Sequence, residues 1–247
     1  MNTLYKDKNW LYNKYCKEKL SIRDIGKMLN VYPTIIKRWL IYYNIPIRTR
    51  KEASHIRQSN HFTVTKQFED WLSGEMMGDG CIQSYSDYSA KITYASKYLE
   101  YIDYISGTLD NFGIKQSGHI YKRDKGDGWI AYQYQSKRYE ELKSFHSKWY
   151  CNGKKRIPSD LELTPIILRQ WYIGDGNLHK SRRNISLATN CFTENELDFL
   201  INLFKNLDII ATKMSQNCLY ISTKSVKQFL SYIGSCPVEC YKYKWDI

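Results

Sequence analysis

The sequence predicts an α+β fold: tandem pseudo-symmetric αββαββα repeats, preceded by a small all-α helix-turn-helix module. Three observations lead there. The apolar helical runs Leu72-Ser-Gly-Glu-Met-Met-Gly78-Asp79-Gly80 and Leu168-Arg-Gln-Trp-Tyr-Ile-Gly174-Asp175-Gly176 both stop at Gly-Asp-Gly, with aspartates 96 positions apart. After each run the same order of alternating and helical segments recurs, and such self-similarity signals duplication. Residues 1–48 show helical spacing alone.

In that first module Trp10, Leu11 and Tyr15 are helically spaced. Ser21-Ile-Arg-Asp24 reads as a capping box opening a second helix, with Ile22, Ile25 and Leu29 on its inner face. Asn30-Val31 gives a short turn, and Pro33 starts a third helix, where its missing N–H does no harm. That helix turns Ile36, Trp39 and Leu40 inward and leaves Thr34, Lys37 and Arg38 to solvent. A helix, a brief turn and a helix with a basic outer face form a helix-turn-helix pattern, whose second helix enters a major groove. A plain three-helix cap with a solvated charged face is the alternative. The run Ile47-Arg48-Thr-Arg50-Lys51 favours DNA, because a basic arm there can grip phosphate or a minor groove. Residues 49–66 are polar, without apolar period, and read as a basic linker.

The first repeat spans 67–150. After Gly80 an alternating stretch, Cys81 to Ser96, reads as a hairpin turning near Ser86-Asp87. Leu99, Ile102, Ile105 and Leu109 mark a helix closed by Phe112-Gly113-Ile114. A second hairpin covers 117–135, turning at Lys125-Gly-Asp-Gly128, and Lys137 to Trp149 is helical. Residues 151–164 link to the second repeat, 165–247. There a hairpin runs from Asn177 to Asn190, and the capping box Thr193-Glu-Asn-Glu196 opens a helix with Leu197, Leu200, Ile201 and Phe204. A hairpin over 210–222 and a helix from Ser225 to Ile233 complete it.

Lys and Arg number 37 against 25 Asp and Glu, for a net charge of +12. Such an excess implies a polyanionic partner, usually nucleic acid. The 22 tyrosines among the basic residues can stack on bases or sugars, though most tyrosines only pack. Seven cysteines, no Cys-x-x-Cys and no apolar signal stretch predict free thiols in a reducing compartment. Cys236 and Cys240 lack the partners of a zinc set. No run approaches the ~18 apolar residues of a membrane span, so we expect a soluble protein, in the cytoplasm of a bacterium or of a phage-infected cell. His55, His61, His119, His146 and His179 form no HNH-like or zinc-hydrolase set, and no Walker loop or G-x-G-x-x-G appears.

Two helices ending in Gly-Asp-Gly, set side by side, would bring two carboxylates together, which suits divalent metal ions and a phosphodiester. Singly each aspartate reads as a turn former; repetition at the same place in both halves argues for the site. Over residues 66–247 the chain resembles the monomeric LAGLIDADG homing endonucleases with an appended helix-turn-helix domain. The resemblance implies two signature helices packed at the centre and a saddle of antiparallel strands gripping DNA. Gly74 and Gly78 permit close approach on the first helix, with Gly174 on the second. Gln170 stands where a small residue is expected opposite Gly74, which points to looser or tilted packing.

By the same resemblance Asp79 and Asp175 are the metal-binding acids, and Gly78 and Gly174 lend backbone carbonyls to Mg2+ (or Mn2+). Asn152-Gly-Lys154-Lys155-Arg156-Ile157-Pro158 is similar to the family's Asn-x-Lys-Lys-x-Ile-Pro stretch, which makes Lys155, ahead of Lys154, one catalytic basic residue. The tail Pro237-Val-Glu-Cys240-Tyr-Lys242-Tyr243-Lys244-Trp245 resembles the family's closing element and favours Lys244 over Lys242 as the other. DNA contacts are expected from Thr34, Lys37, Arg38, Arg48, Arg50 and Lys51 in the first module. On the hairpins the candidates are Gln83, Tyr85, Lys91, Lys122, Arg123, Lys180, Arg182, Arg183, Lys213 and Gln216.

The expected activity is a site-specific, Mg2+-dependent double-strand DNA endonuclease, a homing endonuclease hydrolysing one phosphodiester per strand with one Asp from each repeat. A single chain with two unequal halves suits a monomer on a long, largely asymmetric site. The gene is then a mobile element, intron-encoded or free-standing; no splice-like segments flank the repeats, which disfavours an intein. Two rivals stand beside this reading. A non-catalytic DNA-binding transcription regulator would be expected to lose the acids. An RNA-binding intron maturase, with intron RNA as its partner, would use the same basic surface.

Overall fold

A computed structural model describes residues 3–247 except 59, 125, 127–129, 180, 182 and 215–217, with the backbone alone at 55, 57 and 58. The chain divides into two compact units, Met1–Ser59 and Asn60–Ile247.

In the first unit α1 (Lys8–Tyr12) is capped by Asp7, whose side chain accepts from the amides of Asn9 and Trp10. A π-helical turn (Asn13–Lys17) carries it on. Then come α2 (Ile22–Leu29), capped by Ser21, and α3 (Pro33–Tyr42), with proline in its first turn. Asn30 takes the left-handed conformation (φ 53°) that ends α2. Leu11, Tyr15, Ile25, Leu29, Ile36, Leu40 and Ile45 form the core, and Trp39 packs against it half-buried. Thr34, Lys37 and Arg38 are exposed on α3.

The expected linker is instead helical at its start: α4 spans Arg50–Gln58. Thr49 and Glu52 cap it reciprocally, the Glu52 carboxylate accepting from the Thr49 amide and hydroxyl and the Glu52 amide donating to Thr49 Oγ1. A helix so polar lacks the apolar stripe by which sequence reading finds helices. Residues 60–65 belong to the second unit, where Phe62 packs on Phe68 and Tyr139.

The second unit holds two copies of one arrangement. The first comprises α5 (Lys66–Met77), β1 (Cys81–Gln83), β2 (Lys91–Ser96), α6 (Leu99–Asn111), β3 (Tyr121–Asp124), β4 (Ile130–Gln135) and α7 (Glu141–Trp149). After the short β5 (Tyr150–Cys151) and β6 (Lys154–Lys155) come α8 (Pro165–Asp175), β7 (Gly176–His179), β8 (Asn184–Ala188), α9 (Glu194–Lys205), β9 (Ala211–Met214), β10 (Cys218–Ile221) and α10 (Val226–Ile233). Each half builds an antiparallel four-stranded sheet, ordered β1-β2-β4-β3 and β7-β8-β10-β9. The predicted αββαββα order therefore holds in both halves. The helix expected from Lys137 begins only at Glu141, because Tyr139 pairs its backbone with Ala90 beside β2 and buries its ring. The second hairpin's turn at 125–128 lies largely outside the described residues.

Side-chain oxygens at Thr65, Thr164 and Thr193 cap α5, α8 and α9, the last in a full capping box with Glu196. The sheets' inward residues, among them Ile82, Ile92, Tyr94, Ile185, Leu187 and Leu219, join the helices in one core that crosses both repeats. Among the described residues no helix is long and apolar enough to cross a membrane, and no disulfide joins the seven cysteines.

Candidate active site

The site begins at the crossing of α5 and α8. A β-carbon on Gly78 would lie 3.5 Å from the Gly174 Cα, and one on Gly174 would lie 3.2 Å from the Asp79 amide nitrogen and 3.8 Å from Asp79 Oδ2. The two helix ends thus meet at their glycines, and each carries an aspartate at the junction. Asp79 is exposed and Asp175 half-buried. Burial first, and then the charge of Asp79, push the Asp175 carboxyl up to about 6, while Lys155 and Lys244 pull it down.

One lysine is seated on each helix terminus. Lys155 donates from Nζ to the carbonyls of Gly78 and Gly80, both at 3.0 Å. Lys244 donates to the carbonyls of Tyr172 (3.3 Å), Ile173 (2.6 Å) and Gly174 (3.4 Å). A cation at a helix C-terminus meets the negative end of the helix dipole and the last orphan carbonyls. Lys244 is buried, whereas Lys242 is exposed and bonded to Glu239, so the tail brings Lys244 to the site. Burial pulls the Lys244 ammonium down to about 8, opposed by Asp175 and Asp79. Lys155 is lowered as well, chiefly by burial. Lys154 faces solvent.

Among the described residues no three His, Cys, Asp or Glu side chains cluster as a ready-made metal cage. The donors here are two carboxylates and the backbone carbonyls of Gly78 and Gly174, which have a second lone pair beside the lysine bond. Such an all-oxygen set fits a hard cation that draws further ligands from phosphate and water.

Beneath the site lies Glu75, a buried carboxyl that sequence reading missed. Its oxygens accept from Tyr101 Oη at 3.1 and 3.4 Å, and burial pushes it up to about 8. Its carbonyl accepts from the amides of Gly78 and Gly80, closing the turn that presents Asp79. A glutamate within an otherwise apolar helix stretch was the available signal.

Pairing register decides which strand residues face away from the helices, since alternate residues face opposite ways. In the first sheet Gln83 opposes Lys91, Thr93 opposes Gln135, Ala95 opposes Gln133, and Arg123 opposes Ala131. Gln83, Lys91 and Arg123 therefore share the outer face, where Lys91 Nζ donates to Gln135 Oε1 at 2.8 Å. Lys122 opposes Tyr132 and points to the helix side of the sheet, contrary to its expected place. Lys213 is likewise displaced: it opposes Leu219 on the helix side and pairs with Glu194 and Asp198 of α9, both at 2.8 Å. Asn177, His179, Ser186, Thr212 and Tyr220 occupy the second sheet's outer face instead. The His179 ring stacks on Tyr220 (5.9 Å between centroids, 10°), and its Nε2 is 2.9 Å from Ser186 Oγ. Tyr85 is exposed beyond β1, and Arg183 is exposed in the turn after β7 with φ 53°. Lys180, Arg182 and Gln216 lie outside the described residues.

In the first unit Arg50 and Lys51 are exposed on α4. Arg48 is committed elsewhere. Its guanidinium donates to the carbonyls of Lys19 (3.0 Å), Tyr15 (2.6 Å) and Leu20 (2.7 Å) and lies 3.9 Å above the Tyr15 ring.

Over residues 69–229 the sequence matches the LAGLIDADG DNA endonuclease family. It is 27% identical over 244 residues to an uncharacterized protein of Methanocaldococcus jannaschii, covering 95% of this chain and 94% of that one. It is 24% identical over 237 residues to the cytochrome b mRNA maturase bI2 of Debaryomyces hansenii, covering 87% and 85%. The fold superposes on the homing endonuclease I-WcaI bound to its DNA recognition sequence with a TM-score of 0.63 at 20% identity, covering 82% of this chain and 95% of that one.

Proposed function

The chain belongs to the LAGLIDADG DNA endonuclease family, and from that premise we propose that it is a site-specific homing endonuclease that breaks both strands of double-stranded DNA. The observation that carries this reading is the pairing of Asp79 and Asp175 at a glycine-lined helix crossing, each helix terminus also holding a lysine. Mg2+ or Mn2+ would be held by the two carboxylates and the carbonyls of Gly78 and Gly174. When bound, the cation offsets charge on the scissile phosphate and lowers the pKa of a water.

The chain's own groups do the rest. Each aspartate serves one strand. Lys155 and Lys244 hold positive charge beside the carboxylates, where the phosphate's developing charge falls. Lys244, lowered to about 8, can hold or release a proton at Nζ near neutral pH. The outer sheet faces present amide, hydroxyl, basic and aromatic groups to a groove. The first unit, with Thr34, Lys37 and Arg38 exposed on α3, adds a second DNA-binding module and so raises the effective concentration of each. The halves differ in sequence, which suits a monomer on an asymmetric site.

The likeness to the Debaryomyces hansenii maturase supports a second reading, in which the same faces bind structured intron RNA. One experiment separates the two. A plasmid carrying the joined flanks of the gene's own insertion locus is incubated with the full chain and Mg2+. Linear product is expected from the wild type. Asp79→Asn and Asp175→Asn should bind that DNA without giving the double-strand break. Tight binding of intron RNA without DNA cleavage would replace the endonuclease reading with the maturase one.

A further inference from the structure

Each site lysine rides on a segment that also takes a carboxylate from the opposite repeat. Lys244 closes a 3-10 turn, Glu239–Lys244, whose N-cap residue Val238 supplies no side-chain cap. The turn's first amides need acceptors. Glu100 of α6, in the first repeat, supplies them: Oε1 accepts from the Glu239 amide at 2.7 Å and Oε2 from the Cys240 amide at 3.2 Å.

The other lysine shows the mirror arrangement. Two residues beyond Lys155, the Ile157 amide donates to Glu196 Oε1 at 2.6 Å. Glu196 belongs to α9, in the second repeat, and its Oε2 accepts from the Thr193 amide and hydroxyl at 2.8 and 2.7 Å. Glu100 and Glu196 are 96 positions apart, the same interval that separates Asp79 from Asp175. Lys155 thus sits on the end of α5, paired in β6 with Tyr150 of the first repeat, and two residues on, its segment is also anchored by the second repeat. Lys244 sits on the end of α8 but is anchored by the first.

We propose that Glu100 and Glu196 are reciprocal positioning residues, each repeat using a helix-borne carboxylate to hold the other repeat's lysine-bearing segment at its signature helix. A carboxylate accepting backbone N–H groups makes charge-assisted bonds, stronger and more directional than neutral ones. Glutamine keeps the shape, loses the charge and keeps only one of the two acceptor oxygens. The inference builds on the reading of Lys155 and Lys244 as site lysines, but its primary test needs no catalysis.

The full-length protein is acylated with N-hydroxysuccinimidyl acetate, and modification of each lysine is followed by mass spectrometry. Glu100→Gln should speed acylation of Lys244 about tenfold and leave Lys155 within about twofold, the factor set by losing charge assistance on one amide bond and the acceptor of the other. Glu196→Gln should speed acylation of Lys155 by less, about threefold, since one bond to its segment is affected and the pairing of β5 with β6 remains, and should leave Lys244 within about twofold. If both lysines respond equally to either variant, or neither responds, the clamp is overturned. Hydrogen exchange on the wild type gives a check free of any variant: the amides of Glu239, Cys240 and Ile157 should be protected. Exchange there at the rate of an unstructured peptide also overturns it. On strand-labelled DNA, Glu100→Gln should slow one strand's cut and Glu196→Gln the other's, turning the enzyme towards a nickase of opposite polarity in each case. Equal slowing of both strands counts against the clamp. Absence of cutting by the wild type, with the lysine pattern intact, overturns the endonuclease reading and upholds the clamp.

Discussion

Gly74 and Gln170 face each other across the two signature helices with no space for another atom. A β-carbon on Gly74 would lie 2.7 Å from the Gln170 Cβ and 2.5 Å from the Ile167 carbonyl oxygen. The sequence suggested that a glutamine here would loosen or tilt the packing. Instead one glycine suffices for close approach, and the Gln170 side chain runs past it, donating from Nε2 to Tyr104 Oη at 2.9 Å.

Gly74→Ala should therefore destabilise the protein. Helix propensity alone favours alanine by about 0.5–1 kcal/mol. Overpacking against backbone atoms, which cannot swing aside, costs about 1–3 kcal/mol. The second effect wins, and a thermal melt should show Tm lowered by roughly 2–8 °C. A raised Tm would mean that the helices part more easily than their contact implies.

Glu75 gives the fold a distinct response to pH. Its carboxyl is pushed up to about 8 from an ordinary 4.5. Below about 4.5 both folded and unfolded chains hold the proton. As pH climbs from there towards 8, only the unfolded chain releases it, so stability falls across that window. Each pH unit crossed within the window costs about 1.4 kcal/mol, which bounds the effect at a few kcal/mol. Glu75→Gln should leave Tm nearly unchanged at pH 5 and raise it at pH 8. An equal change in Tm at both values would refute a protonated Glu75.

The aspartates were readable because Gly-Asp-Gly recurs at one interval and only that interval was needed. Glu100 and Glu196 recur at the same interval, and their hydrogen bonds could not be read, because the partners are backbone amides of other segments and leave no mark on the sequence. Lys122 and Lys213 were misplaced for a related reason. Side-chain direction has a period of two, and register is set by pairing, so adjacent strand residues cannot be told apart without knowing the turn. The helix α4 escaped notice because its cap, not its apolar content, defines it.

Arg48 separates stability from DNA affinity in the first unit. Three carbonyls and the Tyr15 ring hold its guanidinium. Arg48→Ala should lower the first unit's melting transition, with a loss of about 2–3 kcal/mol for charge-assisted bonds to partly buried carbonyls. Exposed Lys37→Ala or Arg38→Ala should leave that transition in place. If they touch phosphate, each should instead reduce the slope of log affinity against log salt by about one. A variant of Arg48 that changes the salt slope and not the melt would return it to the DNA-binding set.

The acid limb of cleavage should report Asp175. Its carboxyl is raised to about 6, chiefly by burial, and a cation binds only the ionised form. Below pH 6 each further pH unit should then reduce occupancy, and the cutting rate at limiting Mg2+, by about tenfold. Proton and cation compete for one carboxylate. Once Mg2+ saturates the site at neutral pH, raising it a further tenfold should therefore move the acid limb down by about one pH unit, without changing the plateau. Cleavage of the plasmid substrate, measured from about pH 5 to about pH 7.5 at several Mg2+ concentrations, reads this directly. The basic side should behave differently, because Lys244 titrates near 8 and its loss of charge is not a competition for the same oxygen. An acid limb that stays fixed as Mg2+ rises through the saturating range would assign it to a group that does not bind the metal, and would remove Asp175 from the site.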